Sequence, residues 1–460
     1  MSVLRIPYAD IVIVGGGAAG MIAAITAAQY SSVPGNTSER KKIVIIERHS
    51  IVGRKILATG NGTCNLSNAK AVSQYSSRHY YGTSLFGVEE ILNEFSPADT
   101  MNFFNRIGIE CETEENGKIY PFCRQASAVR NALEQKAAEL GVIICRKTEV
   151  KTIKCDEDIF SVEVSSSNVK DFKDRSGSLR EQSSAVIRKF CEDVTSTGRI
   201  NAGKVIITTG GKASPSLSSD GLGYDLSVSL GHSVESLYPA VVKIIAKPLF
   251  RSDVSGIRIN TRLKLCYSGA DISDPVSEEA GELLFTDNGI SGPAAMQISG
   301  RMKPGHKYDM VIDMLPDISE QDLKELLIRR MTDIPYRRVT DFLEGLLPDR
   351  LGRALCELCS QELSDKRADS LSPEVIGRMT ESIKRSTINI EGTEGWKDAQ
   401  VTAGGIPLSE IKVPSMESAL KSGLFLAGEI LDVTGDCGGF NLQFAWSSGY
   451  LAGKSASADK

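Results

Sequence analysis

The stretch DIVIVGGGAAGMIAAITAA, from Asp10 to Ala28, constrains the fold more than any other part of the chain. Ile11 to Val14 are a short apolar run of the kind that forms a buried parallel strand. Glycines follow, then small and apolar residues at helical spacing. Gly15, Gly17 and Gly20 fall on the G-x-G-x-x-G spacing. The first glycine permits a sharp turn, the second lets the backbone approach a pyrophosphate, and the third lets the helix pack close to the strand. The helix start offers unpaired N–H groups and partial positive charge to phosphates. Glycine turns between strand and helix also occur for structural reasons alone, so this stretch marks a candidate nucleotide site and leaves the rest of the chain to say which nucleotide.

A second apolar run, IVII at 43–46, ends at Glu47. A carboxylate at the end of the second strand suits a ribose, whose two hydroxyls can both donate to it. The polar connection 31–42 makes the gap from Gly20 longer than the usual spacing. Next comes IVGRKILATGNGTCNLSN (51–68), dense in Gly, Asn, Ser and Thr, with Arg54 and Lys55 near its start. It reads as a loop rich in donors, with cations able to reach phosphate.

Farther on, 80–104 reads as helical, 110–121 as a hairpin with a type I′ turn at Asn116-Gly117, and 126–140 as an amphipathic helix. Strands are expected at 142–145, 149–153 and 160–164. The polar segment 165–198 reads as a hairpin excursion or a loop. KVIIT (204–208) returns as a buried strand running into Thr209-Gly210-Gly211. This places flexible backbone at the carboxyl edge of a parallel sheet, where ligands bind. From 239 to 314 short apolar runs alternate with turn signals, as in a small barrel. From 319 to 386 apolar residues recur at three- and four-residue spacing, as in helices. GLFLAGE (423–429) gives another strand, followed by a glycine turn and a long helix from about Asn441. Chain ends that serve one site make the middle an insertion. The expected division is 1–211 and 387–460 for the nucleotide-binding domain, 212–318 for a barrel-like insertion and 319–386 for a helical one.

These pieces together resemble a known family. GLFLAGE is similar to the second FAD signature of flavoproteins related to glutathione reductase. The set GGGAAG, GRKILATGNGTCNLSN, TTGGKASPSLSSDGLGYDLSVSLGHSV, GELLFTDNGISGPA, QVTAGGI and DVTGDCGGFNLQFAWSSG resembles the bacterial BaiN/aminoacetone-oxidase-like flavoproteins over nearly the full chain. The resemblance implies an α/β fold: a Rossmann-like FAD-binding domain of the glutathione-reductase type with an inserted β-barrel plus helical subdomain. It implies that Gly15, Gly17, Ala18, Ala19 and Gly20 hold the FAD pyrophosphate. Glu47, with Arg48 beside it, would take the adenosine ribose, and Arg54 and Lys55 would lie along the cofactor. Asn61, Gly62, Cys64 and Asn65 would approach the isoalloxazine. Val150 would meet adenine through its backbone, while Thr209 and Gly210 would border the adenosine half. Gly428 and Glu429 would bind ribityl or pyrophosphate oxygens. Gly439, Phe440, Asn441 and Leu442 would present helix amides to the flavin's pyrimidine end. The family loop commonly reads GNGRCN, whereas Thr63 stands here at the arginine position, which bears on substrate preference.

The implied activity is FAD-dependent oxidoreduction. No second G-x-G-x-x-G follows a strand, so NAD(P)H is expected to reach the flavin transiently. The leading reading is reduction of an activated C=C bond in a small molecule. The alternatives are an oxidase of a small amine using O₂, and a flavoprotein that binds nucleic acid through its helical insertion. A formal net charge of −5 weighs against the last. No apolar run approaches the roughly 18 residues of a membrane span, no signal peptide is read at the start, and ten scattered cysteines suit a reducing, cytoplasmic setting. Cys356 and Cys359 read as core thiols rather than metal ligands, and no metal site is expected. His232 reads as structural, and no Ser-His-Asp arrangement is apparent. Cys437 precedes a helix, where a thiol pKa can fall.

Overall fold

The computed structural model describes residues 6–31, 40–72, 78–166, 181–217, 219–250, 253–360, 362 and 366–459, without the side chains of 181–184. The chain forms two compact units, one of residues 1–237 with 401–460 and the other of 238–400. The helix Leu222–Ser229 therefore belongs to the first unit, and 387–400 to the second.

The first unit is built on a parallel sheet. Its strands Leu424–Leu426, Arg199–Ile207, Tyr8–Val14, Ile43–Ile46 and Ile143–Cys145 lie side by side in that order. Toward their carboxyl ends they are apolar runs because both faces are covered there, and Val12, Val44, Val205 and Leu424 are fully buried. Val14 sits opposite both Ile46 and Ile207, and Ile207 sits opposite Leu426. Four strands thus end level, and the residues after each of them share one edge of the sheet.

Two helices cover one another on this sheet, Ala18–Tyr30 and Phe440–Ser457. Their approach depends on small residues. A Cβ on Gly449 would lie 2.5 Å from the Ala19 carbonyl, and one on Gly453 would press into the Ala23 backbone. Trp446 anchors the C-terminal helix: it is fully buried, donates to the Leu66 carbonyl (3.0 Å) and meets Phe104 edge-on. A hairpin, Thr148–Asp156 and Ile159–Ser166, extends the sheet by antiparallel pairing with the first half of Arg199–Ile207.

Three local expectations need correction. The helix Glu181–Thr197 occupies the second half of what reads as a loop or hairpin at 165–198, with 167–180 outside the described residues. Ile187, Cys191 and Val194 carry a helical apolar stripe through that polar segment, and Cys191 and Val194 are buried. Tyr80–Tyr81 is not helical but a short strand paired with Thr434–Gly435, and the helices of that region are Val88–Glu94 and Pro97–Arg106. The hairpin Cys111–Thr113 to Lys118–Pro121 forms, but only Gly117 of the Asn-Gly pair is left-handed (φ +92°). A type I′ turn needs both residues there; here Gly117 closes a longer loop in which its N–H donates to the Glu114 carbonyl.

Among the described residues the second unit is a closed six-stranded barrel with three helices longer than ten residues. The order is Ile244–Ala246, Gly289–Ser291, Ser277–Thr286, Arg258–Tyr267, Tyr308–Asp313 and Ser386–Thr393, which returns to the first. Alternation sends Leu263, Leu265, Leu283, Phe285, Met310 and Ile312 inward. The closing strand follows the helices Glu320–Asp333, Asp349–Ser360 and Pro373–Lys384. Cys356 and Cys359 lie in this unit's core, and burial pushes the Cys356 thiol up to about 12. No described helix is long and apolar enough to cross a membrane.

Candidate functional site

The level strand ends bring together Gly15–Gly17, Glu47, Thr208–Gly210 and Ala427–Glu429. The three motif glycines differ in what they owe to the protein. Gly15 has φ +101°, and a Cβ there would lie 2.8 Å from the Thr208 carbonyl. A Cβ on Gly20 would collide with the Gly15 carbonyl and lie 2.7 Å from Thr208 Oγ1. Gly17 has an ordinary extended backbone (φ −78°), and its Cβ would meet nothing nearer than 4.0 Å. Among the described residues no atom requires a glycine at 17. It opens the start of the Ala18–Tyr30 helix, which has no side-chain cap and no acidic residue in its first turn. Such a cradle fits an anionic group approaching Ala18, Ala19 and Gly20.

Glu47 is buried at this edge. Its Oε2 accepts from the Gly16 N–H (2.9 Å) and its Oε1 from the His49 N–H (2.9 Å). The carboxylate is held in one orientation with lone pairs to spare. Arg48 pairs with Asp220. The Arg54 guanidinium lies 2.7 Å from His49 Nδ1 and donates to the Ser216 carbonyl at 2.9 Å. Burial, then the Arg54 charge, lowers the His49 pKa. An open cavity of about 420 Å³ lies among Arg48, Lys147, Glu149, Ser165 and Asp220. Val150 is next to Glu149; its side chain is buried and the strand pairing shifts register just after it.

On the other side of the edge, Thr208 Oγ1 donates to the backbone of Val14 or Gly15. Thr209 Oγ1 is buried with no hydrogen-bond partner among the described residues. Gly210 and Gly428 are both left-handed, and the Gly428 N–H donates to Ser448 Oγ (3.0 Å). Glu429 is held from two sides: its Oε1 accepts from the Thr402 N–H (2.9 Å), and its Oε2 receives Lys55 Nζ (2.6 Å). Lys55 and Glu429 are thus joined as an ion pair. Thr402, in the QVTAGGI stretch, is a site-forming residue that sequence reasoning passed over. Its Oγ1 also accepts from the Lys212 and Ala213 N–H groups.

The third cluster joins the Gly/Asn-rich loop to the C-terminal helix. Gly60, Asn61 and Gly62 are consecutive left-handed residues, as is Cys64. A Cβ on Gly62 would meet nothing within 4 Å. Thr63 turns back on its own loop and donates to the Gly60 carbonyl. Gly438 and Gly439 are left-handed, and Phe440 begins an uncapped helix. Asn65 is nine-tenths buried and its Oδ1 has no partner among the described residues. It lies 2.8 Å from where a Gly439 Cβ would be. Asn441 brackets the turn, accepting from the Gly435 N–H (2.8 Å) and donating to its carbonyl (2.6 Å). Its side chain is therefore used in shaping the loop. Leu442 is half-buried, while Phe440 is buried and stacks on His79 (4.5 Å between ring centres). His79 in turn meets Asp436 (2.9 Å). Neither thiol here has a lowered pKa. Burial pushes Cys64 up to about 11. Cys437 is raised as well, by burial and by Asp436 against the opposing charge of Lys118, so the expected fall at the helix start is not found.

The structure also contains a constellation absent from the sequence reading. Ser418 Oγ lies 2.8 Å from His232 Nε2, and His232 Nδ1 lies 2.7 Å from Glu410 Oε2. This has the connectivity of a Ser-His-acid triad without its access. Ser418 is fully buried and also accepts from the Leu420 and Lys421 N–H groups. It holds a turn, which agrees with a structural His232.

The family model described as "HI0933-like protein Rossmann domain" matches residues 9–455. The 3-dehydro-bile acid delta(4,6)-reductase of Clostridium scindens is 32% identical over 448 residues, covering 96% of this chain and 98% of that protein. The ribosomal RNA dihydrouridine synthase of Haemophilus influenzae is 28% identical, covering 98% of this chain and 99% of that protein. The Escherichia coli protein of the same name is 26% identical, with 98% of each chain covered.

Proposed function

The chain belongs to the HI0933-like Rossmann family and is an FAD-dependent oxidoreductase; from that premise we propose that it reduces a C=C bond conjugated to a carbonyl in a small organic molecule, with NAD(P)H as the transient reductant. The observation that carries the FAD part of this reading is a pair of anchors, the Gly17 cradle with Glu47 at the strand ends and the Asn65–Gly439 turn before the C-terminal helix. A mononucleotide needs one such anchor. A dinucleotide as long as FAD needs both.

In this reading the amides after Gly15 and Gly17, on Ala18, Ala19 and Gly20, take the pyrophosphate. Glu47 takes the adenosine ribose, with Arg48, Val150, Thr209 and Gly210 around the adenosine half. Arg54, Lys55, Gly428 and Glu429 line the middle. Lys55 neutralises Glu429 so that the carboxylate can sit near phosphate without repelling it. Asn61, Gly62, Cys64 and Asn65 face the ring, while Gly439, Phe440, Asn441 and Leu442 direct helix N-terminal charge at its pyrimidine end. The flavin, when bound, supplies hydride transfer. The chain's residues bind it, orient it and hold compensating charge.

The names of the relatives favour the substrate class. A 3-oxo steroid with 4,6-unsaturation and a uracil ring both present a C=C bond in conjugation with a carbonyl. Hydride addition to the far carbon and proton addition to the near one would saturate either. Anaerobic mixing with NADH or NADPH, then with a panel of enones, tests this. Bleaching by a nicotinamide followed by rapid reoxidation by an enone is the expected result. Bleaching by a small amine with fast reoxidation by O₂ would replace the reading with that of an oxidase. A second reading, reduction of uridine within RNA, follows from the two dihydrouridine synthases. It requires salt-dependent RNA binding, and a flat titration at low salt would remove it.

A further inference from the structure

Lys118 has no role in the site described so far. It lies in the strand Lys118–Pro121, which pairs with Ser67–Asn68 on one side and Cys111–Thr113 on the other. Strand alternation sends Ile119 and Pro121 into the core and leaves Lys118 and Tyr120 on the opposite face. Lys118 runs along the glycine turn before the C-terminal helix. Its Cε is 3.4 Å, and its Cγ 4.0 Å, from where a Gly438 Cβ would be. Asn68, its strand neighbour, fixes that turn by donating to the Gly438 carbonyl (2.9 Å). Among the described residues the Lys118 ammonium has no hydrogen bond or ion pair, and its charge is felt by the Glu114 carboxylate and by the Cys437 thiol.

Three features therefore converge on residues 437–439. The first is the uncapped start of an 18-residue helix with no acidic residue in its first turn. The second is the unpaired Lys118 ammonium. The third is the buried Asn65 Oδ1, an acceptor without a donor, aimed at Gly439. Positive potential beside a lone acceptor complements a ligand edge that carries electron-rich oxygen next to an N–H. A cyclic imide has that edge. In flavin it is N1–C2=O followed by N3–H, so Asn65 would accept from N3–H while the helix amides and the cation would face N1–C2=O.

On the reading that FAD occupies this site, we propose that Lys118 is the cation that sets the flavin's reduction potential, holding its ammonium toward the N1–C2=O edge. Hydride transfer from a reduced nicotinamide oxidises it by two electrons. The same hydride adds to flavin N5 and leaves one net negative charge on the N1–C2=O region. A fixed cation there favours the reduced form over the oxidised one. The helix start alone supplies only about half a charge. Lys118 adds a full charge, whereas Thr63 is a neutral hydroxyl already bonded to Gly60.

The test compares purified holoenzymes carrying Lys118→Gln, Lys118→Met and Lys118→Arg. The first readout is the midpoint potential, measured against reference dyes. The second is the affinity of sulfite for flavin N5, which leaves the same negative charge without turnover. Lys118→Gln and Lys118→Met should lower the equilibrium constant for two-electron reduction about tenfold, about 30 mV toward negative potential. They should weaken the sulfite adduct by a similar factor, and Lys118→Arg should restore both. Only the stem of Lys118 packs on the turn, so Met keeps the packing while removing the charge. Bound FAD with an unmoved potential and sulfite affinity would overturn the proposal, and a raised KM for the enone alone would instead make Lys118 a substrate contact. A wild-type protein that takes up no FAD would refute the functional reading beneath it, which is a different outcome.

Discussion

Gly17→Ala separates the demands of the cofactor from those of the fold. At φ −78° and ψ −166° an alanine is unstrained, and its Cβ would have 4.0 Å of clearance from the nearest protein atom. The smaller unfolded-state entropy of Ala favours the folded protein by about 0.4–1 kcal/mol. Gly17 is also a helix N-cap, where Ala is worse than Gly by roughly 0.5–1 kcal/mol. The two effects oppose each other, so without cofactor the variant should melt within a few degrees of wild type. With cofactor the methyl group enters the space that only a ligand can fill. Overpacking of about 1–3 kcal/mol corresponds to FAD binding weakened roughly 5- to 150-fold. Gly20→Ala is the contrast, because its Cβ meets the Gly15 carbonyl and Thr208 Oγ1, both held by the sheet. It should lose stability whether or not FAD is present. Thermal melts of each variant with and without excess FAD, and FAD titration by flavin fluorescence, measure both quantities. Wild-type FAD affinity in Gly17→Ala would refute placement of the pyrophosphate at this helix start. A cofactor-free melt as low as that of Gly20→Ala would refute the steric argument.

Glu429→Gln leaves the partly buried Lys55 ammonium without its counter-charge. It should cost about 1–2 kcal/mol after allowance for exposure and speed FAD release, measured by urea melts and by the loss of bound flavin on dilution into an excess of an apoprotein that captures FAD. Ser418→Ala should leave turnover unchanged yet destabilise the protein by about 1–3 kcal/mol, because the Leu420 and Lys421 N–H groups lose their acceptor. Labelling of Ser418 by a fluorophosphonate would contradict its structural role. Burial alone would raise Glu410, but hydrogen bonds from Ser233 and His232 outweigh it and hold the carboxyl below its ordinary value of 4.5. Its stabilising contribution is therefore present above pH 4.5 and lost as the pH falls through the lower folded value. Glu410→Gln should flatten that part of the acid melting profile. With its thiol near 11, Cys64 should resist iodoacetamide at pH 8 in the native protein, while the exposed Cys123 reacts, as peptide mapping would show.

The legible parts of this sequence are those in which one residue's chemistry is tied to its immediate neighbours. IVIV followed by glycines, or IVII followed by Glu47, predicts a level sheet edge because strand, turn and carboxylate are consecutive. The sixth barrel strand was harder to see. Ser386–Thr393 alternates only weakly, and its partners, Ile244–Ala246 and Tyr308–Asp313, come from far earlier in the chain. The helix 181–197 was hidden for a different reason: its apolar stripe is three residues wide in a stretch otherwise polar, and composition outweighed period.

The site residues missed by sequence share a physical cause. Thr402 matters because its N–H reaches Glu429 and its hydroxyl reaches Lys212 and Ala213. Lys118 matters because a three-stranded sheet lays it along Gly438, 320 positions later. Neither residue type is diagnostic, and neither spacing is local. The glycines at 438 and 439 gave the only signal available. Two successive left-handed residues leave the backbone without side chains on a surface that something must cover, and here Asn65, Asn68 and Lys118 surround it. Glycine pairs before a helix therefore indicate where to look for a site, and the donors and acceptors left unpaired around them indicate which edge of a ligand it fits. At Gly17 the open space says that a ligand approaches. At Gly439 the unpaired Asn65 oxygen and the Lys118 charge are what the proposed flavin edge would meet, so the proposal puts the redox chemistry at the end of the chain opposite the motif that first identifies the fold.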